Sequence, residues 1–203
     1  LPGQTYDVIL SMNAIAQTVP AGHRLRLALA NGCWPLLWPA PEEARLTIDC
    51  SASALLLPLR SANAADADLP EFEGAEIPEP SGVTWLRQFG RQRRFVTDME
   101  SGHTEFSLGK DDGAYRIDDH GMEVDQLGVE KQSITKGDPL SSCGEVSWRI
   151  TQSRGDWQVA VEATTTVTCD AANFFVETTV NASEGDDEFF SQNWKRSIPR
   201  DLL

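Results

Sequence analysis

The clearest periodicity in the chain is a two-residue alternation in its last third. Trp157, Val159, Val161, Ala163, Thr165, Val167 and Cys169 hold one phase, and Gln158, Ala160, Glu162, Thr164, Thr166 and Thr168 the other. Successive side chains of a strand point to opposite faces, so this run predicts one half-buried strand over residues 157–169. Just upstream, Val146, Trp148 and Ile150 share a phase, and Ser153-Arg154-Gly155-Asp156 turns the chain. Trp148 and Trp157 both fall on the apolar phase and are expected in the core on neighbouring strands. Downstream, Asp170 to Asn173 turns into Phe174-Val176-Thr178-Val180. Glu184-Gly185-Asp186-Asp187 makes the next turn, and Phe190, Trp194 and Ile198 mark a closing strand. Shorter strands are expected over 94–97, 104–108, 114–117 and 122–124, separated by Asp-Gly and Asp-His-Gly turn residues.

The first 80 residues read differently. Residues 5–12 alternate in part, Pro20-Ala21-Gly22 reads as a turn, and Leu25, Leu27 and Leu29 alternate with Arg24 and Arg26. Leu46, Ile48 and Cys50 form a further candidate strand, and the run Leu55 to Leu59 is broken by Pro58, which suits an edge or a strand end. Nine of the eleven prolines and no lysine lie in this segment. The stretch from Ser61 to Gly82 is acidic, rich in Pro and Ala, and without apolar period, as a surface connector should be. A turn near Pro41 to Ala44 is the one place with helical character. The chain therefore divides into a β-rich segment with its acidic connector, residues 1–80, and an antiparallel β-meander, residues 81–203. The fold class expected is all-β.

Composition narrows the function by exclusion. The 203 residues carry 31 acidic against 17 basic side chains, a net charge of −14. Such a surface repels nucleic-acid phosphates and anionic lipid, so neither nucleic acid nor membrane is expected as a partner. No apolar run approaches the roughly 18 residues of a membrane span. No basic n-region and apolar h-region open the sequence, so no signal peptide is expected. The four cysteines, at 33, 50, 143 and 169, show no CxxC spacing and are expected as buried reduced thiols of a cytoplasmic protein. The chain opens with Leu1, not Met, which suggests a piece of a larger protein.

Candidate chemistry is sparse. No GxSxG elbow, HExxH, P-loop or GxGxxG occurs. His23 follows a Pro-Ala-Gly turn, and His103 and His120 lie in Gly-flanked turns; none has a triad partner or metal-ligand spacing beside it. No catalytic residue, metal ligand or cofactor site is expected. Asp111-Asp112-Gly113 and Glu184 to Glu188 lack EF-hand spacing and read as hairpin turns. Arg87, Arg91, Arg93 and Arg94 are expected to pair with those acidic turns. The loop Trp34-Pro35-Leu36-Leu37-Trp38-Pro39 is too apolar to stand free in water.

Several runs resemble one family. Val19-Pro20-Ala21-Gly22-His23-Arg24-Leu25-Arg26-Leu27, then Trp34-Pro35 and Leu56-Leu57-Pro58, resemble the C-terminal jelly-roll domain of CocE/NonD serine hydrolases, which include the X-prolyl dipeptidyl-peptidases. The opening Pro2-Gly3-Gln4-Thr5-Tyr6-Asp7-Val8 is similar to the strand before that motif. Asp138-Pro139, Arg154-Gly155-Asp156-Trp157 and Ile198-Pro199-Arg200-Asp201 resemble the C-terminal extension of a bacterial branch. The resemblance implies a jelly-roll (galactose-binding-like) portion in residues 1–80 that lacks its early strands. It also implies a parent enzyme whose Ser, Asp and His triad lies upstream, in an α/β-hydrolase domain. This chain is then a non-catalytic portion packing on that domain, with Arg24, Arg26, Trp34 and Trp38 as the expected docking face and a homo-oligomer as a further option. The rival readings are a stand-alone carbohydrate-binding module using Trp34 and Trp38, and a lipocalin-like barrel built from residues 92–198 around an apolar ligand.

Overall fold

The computed structural model describes residues 3–77 and 82–201. The chain forms two units, Leu1–Ala30 and Asn31–Leu203. The first contains no strand or helix among its described residues. The turn expected at Pro20-Ala21-Gly22 is present, with His23 N–H donating to the Pro20 carbonyl at 3.1 Å and Gly22 at φ +85°. The strands expected on either side of it do not form a ladder. An isolated two-stranded hairpin is marginal in water, and this one has no third strand to bury its apolar phase.

The second unit is dominated by one antiparallel sheet of eight strands among the described residues. They are β1 (Val83–Arg87), β2 (Gly90–Thr97), β3 (His103–Ile117), β4 (Met122–Thr135), β5 (Asp138–Arg154), β6 (Trp157–Cys169), β7 (Asn173–Glu184) and β8 (Asp187–Pro199). From β3 to β8 each strand pairs with the next in sequence, and β1 and β2 share the outer edge of β3. The all-β class and the meander are as the sequence predicts. The strands expected over 46–50 and 55–59 are absent, and the connector holds a single 3₁₀ turn, Ala64–Asp68, started by Asn63 accepting from Ala65 N–H at 3.1 Å. Connector residues 78–81 lie outside the described residues. Among the described residues β8 pairs with β7 alone, so the sheet stays open and the lipocalin-like closed barrel is corrected.

Register settles which residues share a face. Trp148 lies opposite Ala163 on β6 and Gly128 on β4, Ile150 opposite Val161, and Arg154 opposite Trp157. Continued outward, the same face carries Val176 and Phe174, Ile198, Trp194 and Phe190 on one side. On the other it carries Phe106, Phe95, Tyr115 and Trp85. This is the apolar face. A Cβ on Gly128 would come within 2.9 Å of the Trp148 ring, so glycine lets that indole lie across β4. Trp148, expected in the core, is half-buried. Trp157, also expected in the core, is 40% exposed, closing the β5–β6 hairpin at the sheet's rim.

The opposite face is mainly polar, with Leu127, Val129 and Phe175 set among paired charges. Direct cross-strand pairs place Arg116 on Glu123, Lys131 on Glu145, Arg149 on Glu162 and Lys195 on Glu177. All are partly exposed, so each contributes at most about 0.2–1 kcal/mol. A tighter cluster joins three strands. The Arg87 guanidinium donates to Asp111 at 2.9 Å and to Asp125 at 2.6 Å. Hydrogen bonds from Arg87 hold both carboxyls below the usual aspartate range, and the same bonds push the guanidinium pKa upward. Arg91 pairs with Asp112 at 2.5 Å, so the expected pairing of the basic run with acidic residues is present for Arg87 and Arg91.

Asp111-Asp112-Gly113 is not a hairpin turn. It is a β-bulge that keeps β3 continuous, with a register shift between Asp111 and Gly113. Asp111 accepts from Gly113 N–H at 2.9 Å, and Gly113 takes φ +84°. A bulge with glycine in the left-handed region adds twist without ending the strand. A Cβ there would meet the Arg87 carbonyl and the Trp85 ring, each at 2.7 Å.

Two outcomes follow. Gly113→Ala should cost more than about 2 kcal/mol, from left-handed strain together with the displaced Trp85, read as a lower urea midpoint. Arg87→Gln should lower Tm at pH 7, and its deficit should shrink in acid. The depressed carboxyls contribute stability above the ordinary aspartate value of 3.8 and lose it as pH falls through their lower folded values. A thermal melt series from pH 7 to strongly acid conditions checks the sign.

Candidate functional site

Among the described residues of the second unit, the Trp-Pro loop is an irregular segment with strong anchors on the sheet. Its backbone curls at Cys33, whose carbonyl accepts from Leu36 N–H at 2.8 Å and Leu37 N–H at 3.0 Å. The Trp34–Pro35 peptide is cis. The curl sends the two indoles to different strands. Trp34 stands edge-on to Phe95 of β2, with ring centroids 5.9 Å apart. Trp38 stands edge-on to Phe174 of β7 at 5.6 Å. Edge-to-face pairs of this kind add about 0.5–1.5 kcal/mol beyond the area they bury. The loop thus reaches from β2 to β7 on the apolar face, at the rim where β6 ends and β7 begins.

Polar contacts lock the Trp38 end. The indole N–H of Trp38 donates to Cys169 Sγ at 3.3 Å, and that thiol reaches the Leu140 carbonyl at 3.8 Å. Arg200, 8% exposed, follows β8. It donates through Nη2 to the Pro39 carbonyl at 2.6 Å and through Nη1 to the Asp170 carbonyl at 3.0 Å. Its guanidinium carbon lies 4.7 Å from the Phe174 ring centroid. The Asp170 carboxyl accepts from Ala172 N–H at 2.7 Å and Asn173 N–H at 2.6 Å, which hold it below the usual range. One arginine therefore ties the Trp-Pro loop, the β6–β7 turn and the chain beyond β8 together.

The four expected docking residues divide between the two units. Trp34 and Trp38 are half-buried on the sheet of their own unit, and both rings have aromatic partners there. Leu36 and Leu37, at 82% and 64% exposed, are what the loop presents to solvent. Arg24 and Arg26 are exposed in the first unit. The anchors Cys169, Phe95, Phe174 and Arg200 were not legible as a site. Ile198-Pro199-Arg200-Asp201 stood out only as a motif, and nothing local shows that its arginine reaches Pro39.

His23 is exposed in the first unit. His103 Nδ1 lies 3.3 Å from Thr135 Oγ1, and His120 Nδ1 accepts from Met122 N–H at 3.3 Å. Among the described residues no group of three or more His, Cys, Asp or Glu side chains could hold a metal, and no helix is long and apolar enough to cross a membrane. The four cysteines are free thiols; Cys33 and Cys50 are exposed, against the expectation of burial. Burial, with Glu145 nearby, pushes the half-buried Cys143 thiol up.

Residues 1–70 match the family model of the X-Pro dipeptidyl-peptidase C-terminal non-catalytic domain. The match bears out the resemblance to the C-terminal region of that enzyme family, and it names the matched segment as non-catalytic. It ends before β1, so it covers the first unit, the Trp-Pro loop and the start of the connector. Nothing matches among curated proteins, nor among solved structures.

Arg200→Ala should loosen the Trp38 end of the loop while the meander stays folded. We expect a loss of about 2 kcal/mol, the scale of a charge-assisted hydrogen-bond set. Amide exchange over residues 33–39 should accelerate, read by mass spectrometry, with β4 and β5 unchanged.

Proposed function

We propose that this chain is the non-catalytic β portion of an α/β-hydrolase-type serine esterase or peptidase, and that it packs on the catalytic domain of that enzyme. The observation that carries the reading is the exposure of the matched segment. Its strand-patterned apolar residues lie open: Ile9 is 95% exposed, Leu56 89% and Leu59 93%. Apolar side chains in such number, in a domain type that accompanies a peptidase, call for a partner surface.

On this reading residues 1–80 are a partial jelly roll whose missing strands belong to the parent enzyme. The alternation around Leu25, Leu27 and Leu29 supplies pairing backbone, and Arg24 and Arg26 supply rim donors. Trp34 and Trp38 hold the loop that offers Leu36 and Leu37. Anchors of this composition suit interdomain contacts, because Trp and Arg bury large area and still find polar partners at the rim. The carbohydrate-module alternative has less support, since both indoles already have edge-on aromatic partners and do not form a flat platform.

The isolated chain should hydrolyse neither p-nitrophenyl esters nor Xaa-Pro p-nitroanilides above buffer. Turnover together with stoichiometric fluorophosphonate labelling of one serine would overturn the reading. The docking claim is tested by co-expressing the segment encoded in frame upstream of the Leu1 codon. The expected result is a hydrolase domain with a Gly-Xaa-Ser-Xaa-Gly elbow that co-purifies with the chain and slows amide exchange over residues 5–59. A frame without such a domain, or exchange left unchanged by it, defeats the proposal.

A further inference from the structure

The sheet has two unlike edges. At one, β1 and β2 divide the outer side of β3 into two short lengths, interrupted at residues 88–89. The other is β8, continuous over Asp187–Pro199 and exposed at every position. A long exposed edge presents a row of backbone groups able to pair with another strand. Proteins usually blunt such an edge with proline or scattered lysines, whereas Pro199 stands only at the end of β8. Its charges are segregated: Asp187 and Glu188 at the start, Lys195 and Arg196 near the finish. Among the described residues, Asp187, Glu188 and Arg196 form no ion pair, while Lys195 pairs with Glu177 at 2.9 Å.

We propose that β8 pairs antiparallel with β8 of a second copy about a two-fold axis at Gln192, joining two sheets into one. A two-fold axis normal to the sheet keeps each residue on its own face, so the central register must set a residue opposite itself. With Gln192 opposite Gln192, Ser191 meets Asn193, and Phe190 meets Trp194 of the second copy. Phe190 and Trp194 both lie on the apolar face and are 40% and 37% exposed. Aromatic cross-strand pairs are among the stronger ones in sheets.

The bulge then brings the charges into line. β8 holds one extra residue, Phe189, because Ala182 pairs with Phe190 and Ser183 with Glu188. Beyond it the phase shifts by one, so Glu188 meets Lys195 and Asp187 meets Arg196 of the second copy. Each of these pairs is also on a matching face: Glu188 and Lys195 on the polar side, Asp187 and Arg196 on the apolar side. The surface is thus self-complementary in charge, face and aromatic content, which a two-fold contact requires. The occupant is a second copy of this chain, and the contact uses none of the residues assigned to hydrolase docking.

The test is sedimentation equilibrium of the full chain and two charge-reversal variants, each checked for fold by circular dichroism. Asp187→Lys with Glu188→Lys should be monomeric alone, as should Lys195→Glu with Arg196→Glu. An equimolar mixture of the two should dimerise, since every facing pair is then complementary. A second arm places Gln192→Cys in a chain carrying Cys33→Ser and Cys50→Ser, and expects a disulfide-linked dimer on oxidation. A monomeric wild-type chain, or reversal variants that dimerise alone as wild type does, would overturn the proposal. So would dimers that fail to cross-link at 192, which would point to β8 adding to the β1–β2 edge of another copy. Should a reversal variant not fold, the cross-linking arm decides.

Discussion

The antiparallel ladder running from β3 to β8 is the interaction on which the rest of the second unit depends. Every strand in that run pairs with its sequence neighbour through a short turn, so the sheet closes only local loops. Local closure is entropically inexpensive and is what lets so long a sheet form with little behind it. The same feature imposes a limit. One layer cannot bury its own apolar face, and among the described residues the buried hydrophobic ones are Ala114 and Val124. Domains reach stability by packing a second layer on such a face. The Trp-Pro loop covers this face in part, at one rim.

The two faces solve the problem differently. On the polar face, ion pairs at directly opposed positions and the Arg87 cluster satisfy charge within the sheet. There the Gly113 bulge matters most, since it turns Asp111 toward Arg87 and keeps β1 and β2 on one strand. On the apolar face, glycine at 128 and the indole of Trp148 interlock across β4 and β5. Lys110 crosses this face to Glu130 and stands 5.9 Å from the Trp148 ring centroid, so its charge is paired where its stem lies on apolar surface.

How much was legible depends on whether the deciding partner was near in sequence. The strand over Trp157–Cys169 and the turns at its two ends follow from alternation and turn chemistry alone, because both are local. The length of β3 was hidden by Asp111-Asp112-Gly113, which has turn composition and becomes a bulge only because Arg87 and Asp125 surround it. The first 80 residues carry strand patterning without strands, since pairing needs a partner that pattern cannot supply. The family resemblance reached further there than periodicity did, because a motif such as Ala21-Gly22-His23-Arg24-Leu25 is specific even where its ladder is unformed. The site was the least legible part. Trp34 and Trp38 were marked by composition, yet their anchors on Phe95, Phe174 and Cys169 come from strands far along the chain.

The arginine that locks the loop illustrates why such contacts stay invisible in sequence and how they depend on the sheet. Arg200 and Pro39 are 161 residues apart. Closing a flexible loop of that length costs about 4.5 kcal/mol in chain entropy, before any constant term. The hydrogen bonds of Arg200 return only about 2 kcal/mol, so the contact cannot form in an unstructured chain. The meander removes most of that cost by carrying β8 back beside β7, which leaves Arg200 next to the β6–β7 turn, where its backbone N–H already donates to the Ala172 carbonyl at 2.8 Å. The Trp-Pro loop is therefore fastened last and by the sheet's own geometry. A rim fastened in this way holds Leu36 and Leu37 outward only while β6, β7 and β8 are paired, so presentation of the loop is coupled to the integrity of the sheet's far edge.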